Sequence, residues 1–328
     1  MFRFLLLAAG LTLAAPLQAQ CLGENLITAL PPAEMAALRA STDSVPYPVG
    51  NFWQATRGTQ TIHLIGTYHF DDPRHAATMA KLDPLIAQSV AVLVEAGPKE
   101  EAALLERMAA DPSIMLITDG PTLPELLPKE EWLVLSDALR ARGIPPFMAA
   151  KFRPWYLSML LGIPACNMAT LADARGLDGM VIDAADAASV PVKALEPYDT
   201  VFGLFDTMSA SDQMAMVQST LALEPQAADF AITLADAYFA EEGRMIWEFM
   251  RLRTLQMPGY TPERVEAEFA VMEAALMTSR NRAWIPVILT EAAKGPVVAA
   301  FGALHLSGEN GVLALLEAEG FTVTRLPF

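Results

Sequence analysis

Two histidines and two glutamates each follow a short apolar run that is typical of a β-strand. They are His69, Glu95, Glu196 and His305, and both histidines stand in a Gly-x-x-His frame. Because the carboxyl ends of parallel strands meet at one edge of an open α/β sheet, we expect these distant side chains to converge there. Two imidazoles and a carboxylate suit a catalytic metal site that keeps one position open for water. A bound divalent ion would lower the pKa of that water and polarise a carbonyl group.

Each histidine also has a simpler interpretation, as a residue that makes structural hydrogen bonds. The shared frame and strand-end position favour a functional role, but the residues alone leave both interpretations open. The other two histidines lie elsewhere in the pattern. His63 lies inside a strand, where we expect a structural role, and His75 lies early in a helix, where we expect it to be exposed. Asp72 is predicted to cap that helix, with Pro73 in its first position.

A second polar cluster lies in an otherwise apolar helical stretch, residues 278–285, which carries two arginines and an asparagine. Arg280 could pair with a carboxylate or stabilise an anionic intermediate. An ordinary solvated helix face would explain the stretch equally well. The sequence contains no Gly-x-Ser-x-Gly turn, no phosphate-binding glycine motif and no His-Glu-x-x-His helix. These absences argue against the serine hydrolases, nucleotide-binding proteins and zinc proteases that depend on those motifs.

The surrounding pattern predicts an α/β fold with a mostly parallel central sheet, flanking helices and a large helical insertion. Residues 51–66 are typical of a β-hairpin with its turn at Arg57-Gly58-Thr59. The apolar runs 90–94 and 296–301 have the unbroken hydrophobicity of parallel strands buried on both faces, and 191–195 repeats it more weakly. From about residue 198 to 293 the pattern is helical, and we interpret it as the insertion. A helix over 312–319, capped by Gly320, and a strand over 321–326 complete the chain.

The first residues predict a secretory signal peptide over residues 1–19. Arg3 precedes an apolar run from Leu5 to Ala15, and Ala19 is the expected cleavage point. The run is too short to span a bilayer as a helix. We therefore expect residues 20–328 to form a single domain in the periplasm or outside the cell, without stable membrane insertion.

The net charge of the chain limits the kinds of partner that it can bind. The chain has 22 Lys and Arg against 38 Asp and Glu, a net charge of −16, which becomes −17 once Arg3 leaves with the signal. A field of that sign repels nucleic acid, so we expect a peptide or small-molecule substrate and no nucleic acid.

Cys21 and Cys166 are the only cysteines. In an oxidising compartment they could form one disulfide, and two free thiols are the alternative.

Several short motifs follow one another in a specific order. They are Gly66-Thr67-Tyr68-His69 with Asp72-Pro73-Arg74, then Val94-Glu95, Arg153-Pro154-Trp155, Lys193-Ala194-Leu195-Glu196, Arg280-Asn281-Arg282-Ala283-Trp284 and Gly302-Ala303-Leu304-His305-Leu306. Together they resemble the TraB/GumN family, which is related to the Tiki proteases and more distantly to the erythromycin esterase and ChaN-like proteins. The resemblance implies two related halves that each supply a Gly-x-x-His, and a divalent-metal-dependent peptidase or other hydrolase. By position, His69 and His305 would be the motif histidines, Glu95 their acidic partner and Arg280 the arginine of an Arg-Asn pair.

These observations predict an exported, metal-dependent hydrolase that acts on peptide bonds. His69, Glu95 and His305 would hold a divalent metal ion, Arg280 would stabilise developing negative charge, and Glu95 or Glu196 would handle protons. Two alternatives use the same groups. One is a non-enzymatic periplasmic protein that binds a metal or haem, and the other is a His/Glu esterase that works without metal.

Overall fold

The computed structural model describes residues 21–168, 176–206 and 208–328, so the predicted signal peptide lies outside the described residues. Within them, one sheet contains six strands, β1 (Phe52–Arg57), β2 (Gln60–Thr67), β3 (Ala91–Val94), β4 (Val192–Ala194), β5 (Val297–Gly302) and β6 (Thr322–Arg325). Their order across the sheet is β4-β3-β5-β2-β1-β6. The four strands from β4 to β2 are parallel, whereas β1 pairs antiparallel with β2 and β6. The predicted mostly parallel sheet and its amino-terminal hairpin are confirmed.

Helices flank the sheet and fill the long connections. They are α1 (Pro32–Asp43), α2 (His75–Ala87), α3 (Pro98–Ala110), α4 (Leu123–Leu126), α5 (Lys129–Ala141), α6 (Pro146–Ala149), α7 (Pro154–Gly162), α8 (Leu177–Ala187), α9 (Thr200–Asp206), α10 (Ala210–Leu223), α11 (Ala227–Phe239), α12 (Gly243–Leu255), α13 (Pro262–Glu273), α14 (Ser279–Ala292) and α15 (Val312–Ala318). A π-helical segment, Ala274–Thr278, joins α13 to α14. Within the described residues, no helix has both the length and the apolar character needed to cross a membrane.

The central strands are apolar throughout because both faces of the sheet are covered. All four residues of β3 and the first five of β5 are buried. On one face the strands pack against Trp284 of α14 and Leu313 of α15, and on the other against Leu82 of α2 and Val181 of α8. This burial explains why the two runs lack the alternation of a half-exposed strand.

The connection between β4 and β5 is helical, as the sequence predicts, and runs from α9 to α14. Its last helix, α14, belongs to the core of the sheet through Trp284 and Ile288. Of the earlier helices, α11 reaches the other face of the sheet through Tyr238, and two others pack on separate elements. α10 joins α5 and α7 in a separate cluster around Leu135 and Leu221, and α12 packs on α1 through Phe249. At its end the connection therefore places α14 next to the sheet edge where the predicted site lies.

The predicted disulfide is present between Cys21 and Cys166, whose Cα atoms are 5.3 Å apart. It links positions 145 residues apart in sequence. The segment that follows Cys21 is also hydrogen bonded to α11, where the backbone N–H of Leu26 donates to Thr233 Oγ1 at 2.8 Å. The amino-terminal segment is thus fixed to the body of the protein at both points.

Two local predictions near His69 are wrong. His75 is buried, with 1% of its surface exposed, because its ring packs among Tyr68, Tyr238 and Phe239 and its Nε2 atom lies 3.1 Å from the carbonyl of Phe70. An isolated helix-start pattern does not reveal that this side chain packs against α11.

The cap of α2 also differs from the expectation. The helix begins at His75 rather than at Pro73, and no side chain caps it. Asp72 instead accepts hydrogen bonds from the backbone N–H and the guanidinium of Arg74, each at 2.9 Å. The carboxylate therefore stabilises a turn ahead of the helix rather than the helix itself.

Candidate active site

The parallel register brings the predicted strand-end residues to one edge of the sheet. Thr67 at the end of β2 is level with Gly302 at the end of β5, and Val94 at the end of β3 is level with Ala300 of β5 and Ala194 of β4. The turns that carry His69, Glu95, Glu196 and His305 therefore leave the same edge. This is the edge at which open α/β sheets bind ligands.

Gly302 lies at the centre of the converging side chains. A Cβ atom built on Gly302 would lie 3.3 Å from Glu95 Oε1, 3.4 Å from His69 Nε2 and 3.7 Å from His305 Cδ2. The absence of a side chain at this position leaves room for the three functional groups to approach one point. We call His69, Glu95 and His305 the central trio.

His305 is held in one orientation by Asn281. The Nδ2 of Asn281 donates to the carbonyl of Asn310 at 2.8 Å, so its Oδ1 faces the imidazole and accepts from His305 Nδ1 at 2.6 Å. That hydrogen bond fixes the proton on Nδ1 and leaves the Nε2 lone pair directed at the site. The ring centroid lies 4.4 Å from that of Trp284, with the two planes tilted by 37°, and the residue is 6% exposed. Burial lowers the pKa of His305 to about 4, so the ring is neutral near pH 7.

His69 is oriented by a carboxylate that the sequence analysis did not identify. Asp178 Oδ1 accepts a hydrogen bond from His69 Nδ1 at 3.1 Å, and this interaction raises the pKa of His69. The side chain of His69 is exposed over 61% of its surface, in contrast to that of His305. The backbone of His69 lies so close to Gly176 that any side chain at residue 176 would collide with it. This contact brings the start of α8, and with it Asp178, next to His69.

Glu95 is bound on both of its oxygens. Its Oε1 accepts from the backbone N–H of Gly302 at 2.7 Å and lies 4.0 Å from His305 Nε2, while its Oε2 accepts from Arg280 Nη2 at 2.6 Å. Burial alone would raise the pKa of this carboxyl, but the nearby His305, Arg280 and His69 together with the Gly302 hydrogen bond lower it to about 2. Glu95 is therefore ionised at any physiological pH.

Arg280 connects the central trio to Glu196. Its Nε and Nη2 donate to the Glu196 carboxylate at 2.6–3.1 Å, and the second proton of Nη2 is donated to Glu95. Nη1 donates to the carbonyl of Leu276 at 3.1 Å and lies 3.3 Å from the Nε2 of His305. All five N–H groups of the guanidinium therefore have acceptors within the protein.

Glu196 faces Arg280 rather than the histidines. Besides the arginine, it accepts a hydrogen bond from Trp284 Nε1 at 2.9 Å. Leu276, whose carbonyl holds Arg280 from the other side, belongs to the π-helical segment before α14. Such segments are frequent at functional sites because they change the direction of the side chains that follow.

The donor atoms of the central trio are of the types that bind a divalent metal ion, although they do not lie close enough together to form a complete metal site. Among the described residues, no three His, Cys, Asp or Glu side chains form a ready metal-binding group. The donor set nevertheless has the hydrogen bonding that metal ligands require. Each histidine donates its Nδ1 proton to an oxygen acceptor, and each Nε2 faces the site.

Comparison with curated proteins and with solved structures gave no match. A family model described as the TraB/PrgY/gumN family matches residues 51–325, which is most of the chain. The match includes both Gly-x-x-His frames, Glu95, Glu196 and the Arg280-Asn281 pair. The chain belongs to the TraB/PrgY/gumN family.

Proposed function

We propose that the protein is an exported hydrolase that depends on a divalent metal ion and cleaves peptide bonds at the central trio. One observation carries this proposal. The Nδ1 atoms of His69 and His305 are tied to Asp178 and Asn281, so both Nε2 atoms face the Glu95 carboxylate around Gly302. Imidazoles oriented in this way are characteristic of metal-binding histidines.

In this proposal His69, Glu95 and His305 hold the metal ion through Nε2, Oε1 and Nε2. When bound, the ion would polarise a substrate carbonyl and lower the pKa of a water molecule. The hydrogen bond from Gly302 and the ion pair with Arg280 keep Glu95 ionised and fixed in direction. Asp178 and Asn281 are positioning residues, since each acts on the site through a histidine.

Arg280 and Glu196 have more indirect roles than the sequence suggests. Four of its N–H groups donate to Glu196, Glu95 and the carbonyl of Leu276, and only the Nη1 proton that faces His305 Nε2 would be released by a metal ion there, so Arg280 acts mainly through its positive charge beside the site. Glu196 accepts from Arg280 and Trp284 and thereby holds the guanidinium in position. We assign Glu196 to positioning rather than to proton transfer.

A second candidate function is supported by the contact between Arg280 and His305. The guanidinium lies 3.3 Å from His305 Nε2, which is the lone pair that a metal ion would use. If that contact persists during turnover, hydrolysis would proceed without metal. His69, with Asp178 bound to its Nδ1 and its Nε2 open to the site, has the geometry of a general base that is oriented by a carboxylate.

Export is supported by the disulfide. The Cys21–Cys166 bond requires an oxidising compartment to persist, and the periplasm or the cell exterior provides one. The predicted signal peptide over residues 1–19 agrees with that location.

The test is hydrolysis of a peptide library by purified protein, with and without EDTA and with Mn²⁺, Co²⁺ or Zn²⁺ restored. We expect EDTA to abolish cleavage and one of the metals to restore it. Glu95→Gln should be inactive, whereas Glu309→Gln, an exposed glutamate outside the central trio, should retain wild-type rates. Cleavage that survives chelation would favour the metal-free candidate. No cleavage of any substrate, together with an absorbance band on adding haem, would favour the non-enzymatic alternative.

A further inference from the structure

A cavity of about 420 Å³ opens beside the central trio, on the far side of Arg280. It lies between α9, the turn after β4, the π-helical segment and α14. Its lining is formed by Leu195, Glu196, Pro197, Thr200, Gly203, Ala275, Leu276, Ser279, Arg280 and Ala283. We call it the α9–α14 cavity. Its volume lies in the range of small-molecule sites, roughly 300–1,000 Å³.

Arg280 lies between the cavity and the central trio. Arg280 forms part of its wall and also contacts Glu95 at 2.6 Å and His305 at 3.3 Å. A group in the cavity is therefore separated from the trio only by the guanidinium plane. This spacing suits a substrate whose side chain enters the cavity while its backbone passes the trio.

The described lining residues offer a charged occupant no free partner. Among the described residues that line it, the ionisable groups are Arg280 and Glu196, and they are paired with each other. Four N–H groups of Arg280 have carboxylate or carbonyl acceptors, and the fifth faces His305 Nε2 of the central trio. Most of the remaining wall is aliphatic, and burying a charge against it without a partner would be unfavourable.

We propose that the α9–α14 cavity is the subsite that receives a large aliphatic or aromatic side chain of the peptide next to the cleaved bond. The inference rests on the proposed peptidase function, because it names the substrate class of the same site. Burial of an apolar side chain in such a pocket supplies binding energy and selects substrates by size.

Two variants fill the cavity without touching the central trio. Ala275→Phe adds an aromatic ring from the π-helical segment, and Ala283→Phe adds one from α14 at an exposed position that tolerates a larger side chain. The matched control is Ala274→Phe, because Ala274 is the exposed neighbour of Ala275 and does not line the cavity. Circular dichroism and the melting temperature of each variant verify folding. If Ala275→Phe does not fold, the result for Ala283→Phe alone decides whether the cavity is the subsite.

The experiment has a hydrolysis arm and a binding arm. In the first, wild-type protein should cleave peptides with Leu, Met or Phe at the selected position at least roughly 10-fold faster than those with Gly or Asp. The filled variants should lose that preference, whereas Ala274→Phe should keep both the preference and the wild-type rates. In the second, the neutral fluorophore N-phenyl-1-naphthylamine should bind wild type and Ala274→Phe, and bind the filled variants roughly 10-fold more weakly.

The two arms separate the failure of the cavity from the failure of the enzyme. Peptide cleavage with unchanged side-chain preference and unchanged fluorophore binding in both filled variants would overturn the subsite and leave the hydrolase standing. Fluorophore binding that the filled variants lose, in a protein that cleaves no peptide, would support an apolar ligand in the cavity while the proposed peptidase function fails.

Discussion

Replacing the two histidines of the central trio by alanine should affect stability very differently, because only one of them is part of the core. His305 is 6% exposed, packs against Trp284 with ring centroids 4.4 Å apart and donates to Asn281. His69 is exposed over 61% of its side chain and has one described hydrogen-bond partner, Asp178. The structure therefore predicts that His69→Ala removes function and leaves the fold stable, whereas His305→Ala removes function and also destabilises the fold.

The magnitude follows from what each substitution removes. His305→Ala empties the volume of a buried ring, which for large side chains costs about 3–5 kcal/mol. It also leaves Asn281 Oδ1 without its donor, a penalty of about 1–3 kcal/mol. Collapse of the site and removal of a group next to the positive Arg280 offset part of this loss. We expect a net loss of about 4 kcal/mol in the free energy of unfolding for His305→Ala. His69→Ala should cost less than about 1 kcal/mol.

Urea unfolding of metal-free protein, followed by far-UV circular dichroism, measures both losses. His305→Phe is the matched control, because it keeps an aromatic ring beside Trp284 and loses only the contacts of the two ring nitrogens, with Asn281 and Arg280. It should recover about half of the stability that His305→Ala loses. Equal unfolding midpoints for His69→Ala and His305→Ala would refute the asymmetric burial on which the site description depends.

Three further outcomes follow from the charges and bonds of the site. The pKa of His305 is about 4 when folded, below its ordinary 6.5, so stability should be complete above pH 6.5 and fall by about 3 kcal/mol as the pH drops to 4. Glu95, at about 2 against an ordinary 4.5, should add a second loss between pH 4.5 and 2. Urea unfolding of metal-free protein measures both losses, and a missing loss in either window would mean that the pKa of that group is unshifted. Asp178→Asn should lower the pKa of His69, measured from its ring protons by NMR, and weaken metal binding roughly 10–100-fold; an unchanged titration would remove Asp178 from the site. Reduction of the disulfide, which closes a 145-residue separation, should lower the free energy of unfolding by up to about 5 kcal/mol, and an unchanged melting temperature would contradict that estimate.

The convergence of the strand-end residues is accessible from the sequence because it follows from topology. Unbroken apolar runs identify β3 and β5 as buried parallel strands, and parallel strands align their carboxyl ends. His69 and His305 then share an edge although the chain between them is long. The helical connection from α9 to α14 could also be predicted, since its residues carry a helical pattern throughout.

The partners of these residues could not be predicted, because they come from packing between helices. Asp178 reaches His69 from the start of α8, next to a glycine whose close approach to the chain has no sequence signature. The engagement of every Arg280 donor depends on Leu276 in a π-helical segment, which hydrophobic periodicity does not reveal. For the same reason the sequence does not reveal the burial of His75, because Tyr238 and Phe239, which cover its ring, belong to α11, far along the chain.

Cobalt titration is the most direct test of the central claim, that two histidines and Glu95 present their donors to one ligand. Wild-type protein that has been stripped with EDTA should bind one equivalent of Co²⁺, with a saturating change in visible absorbance. His69→Ala and His305→Phe should each abolish that change, and Glu309→Gln should not. If both histidine variants bind Co²⁺ as tightly as wild type, or if wild type binds none, the central trio is not a metal site.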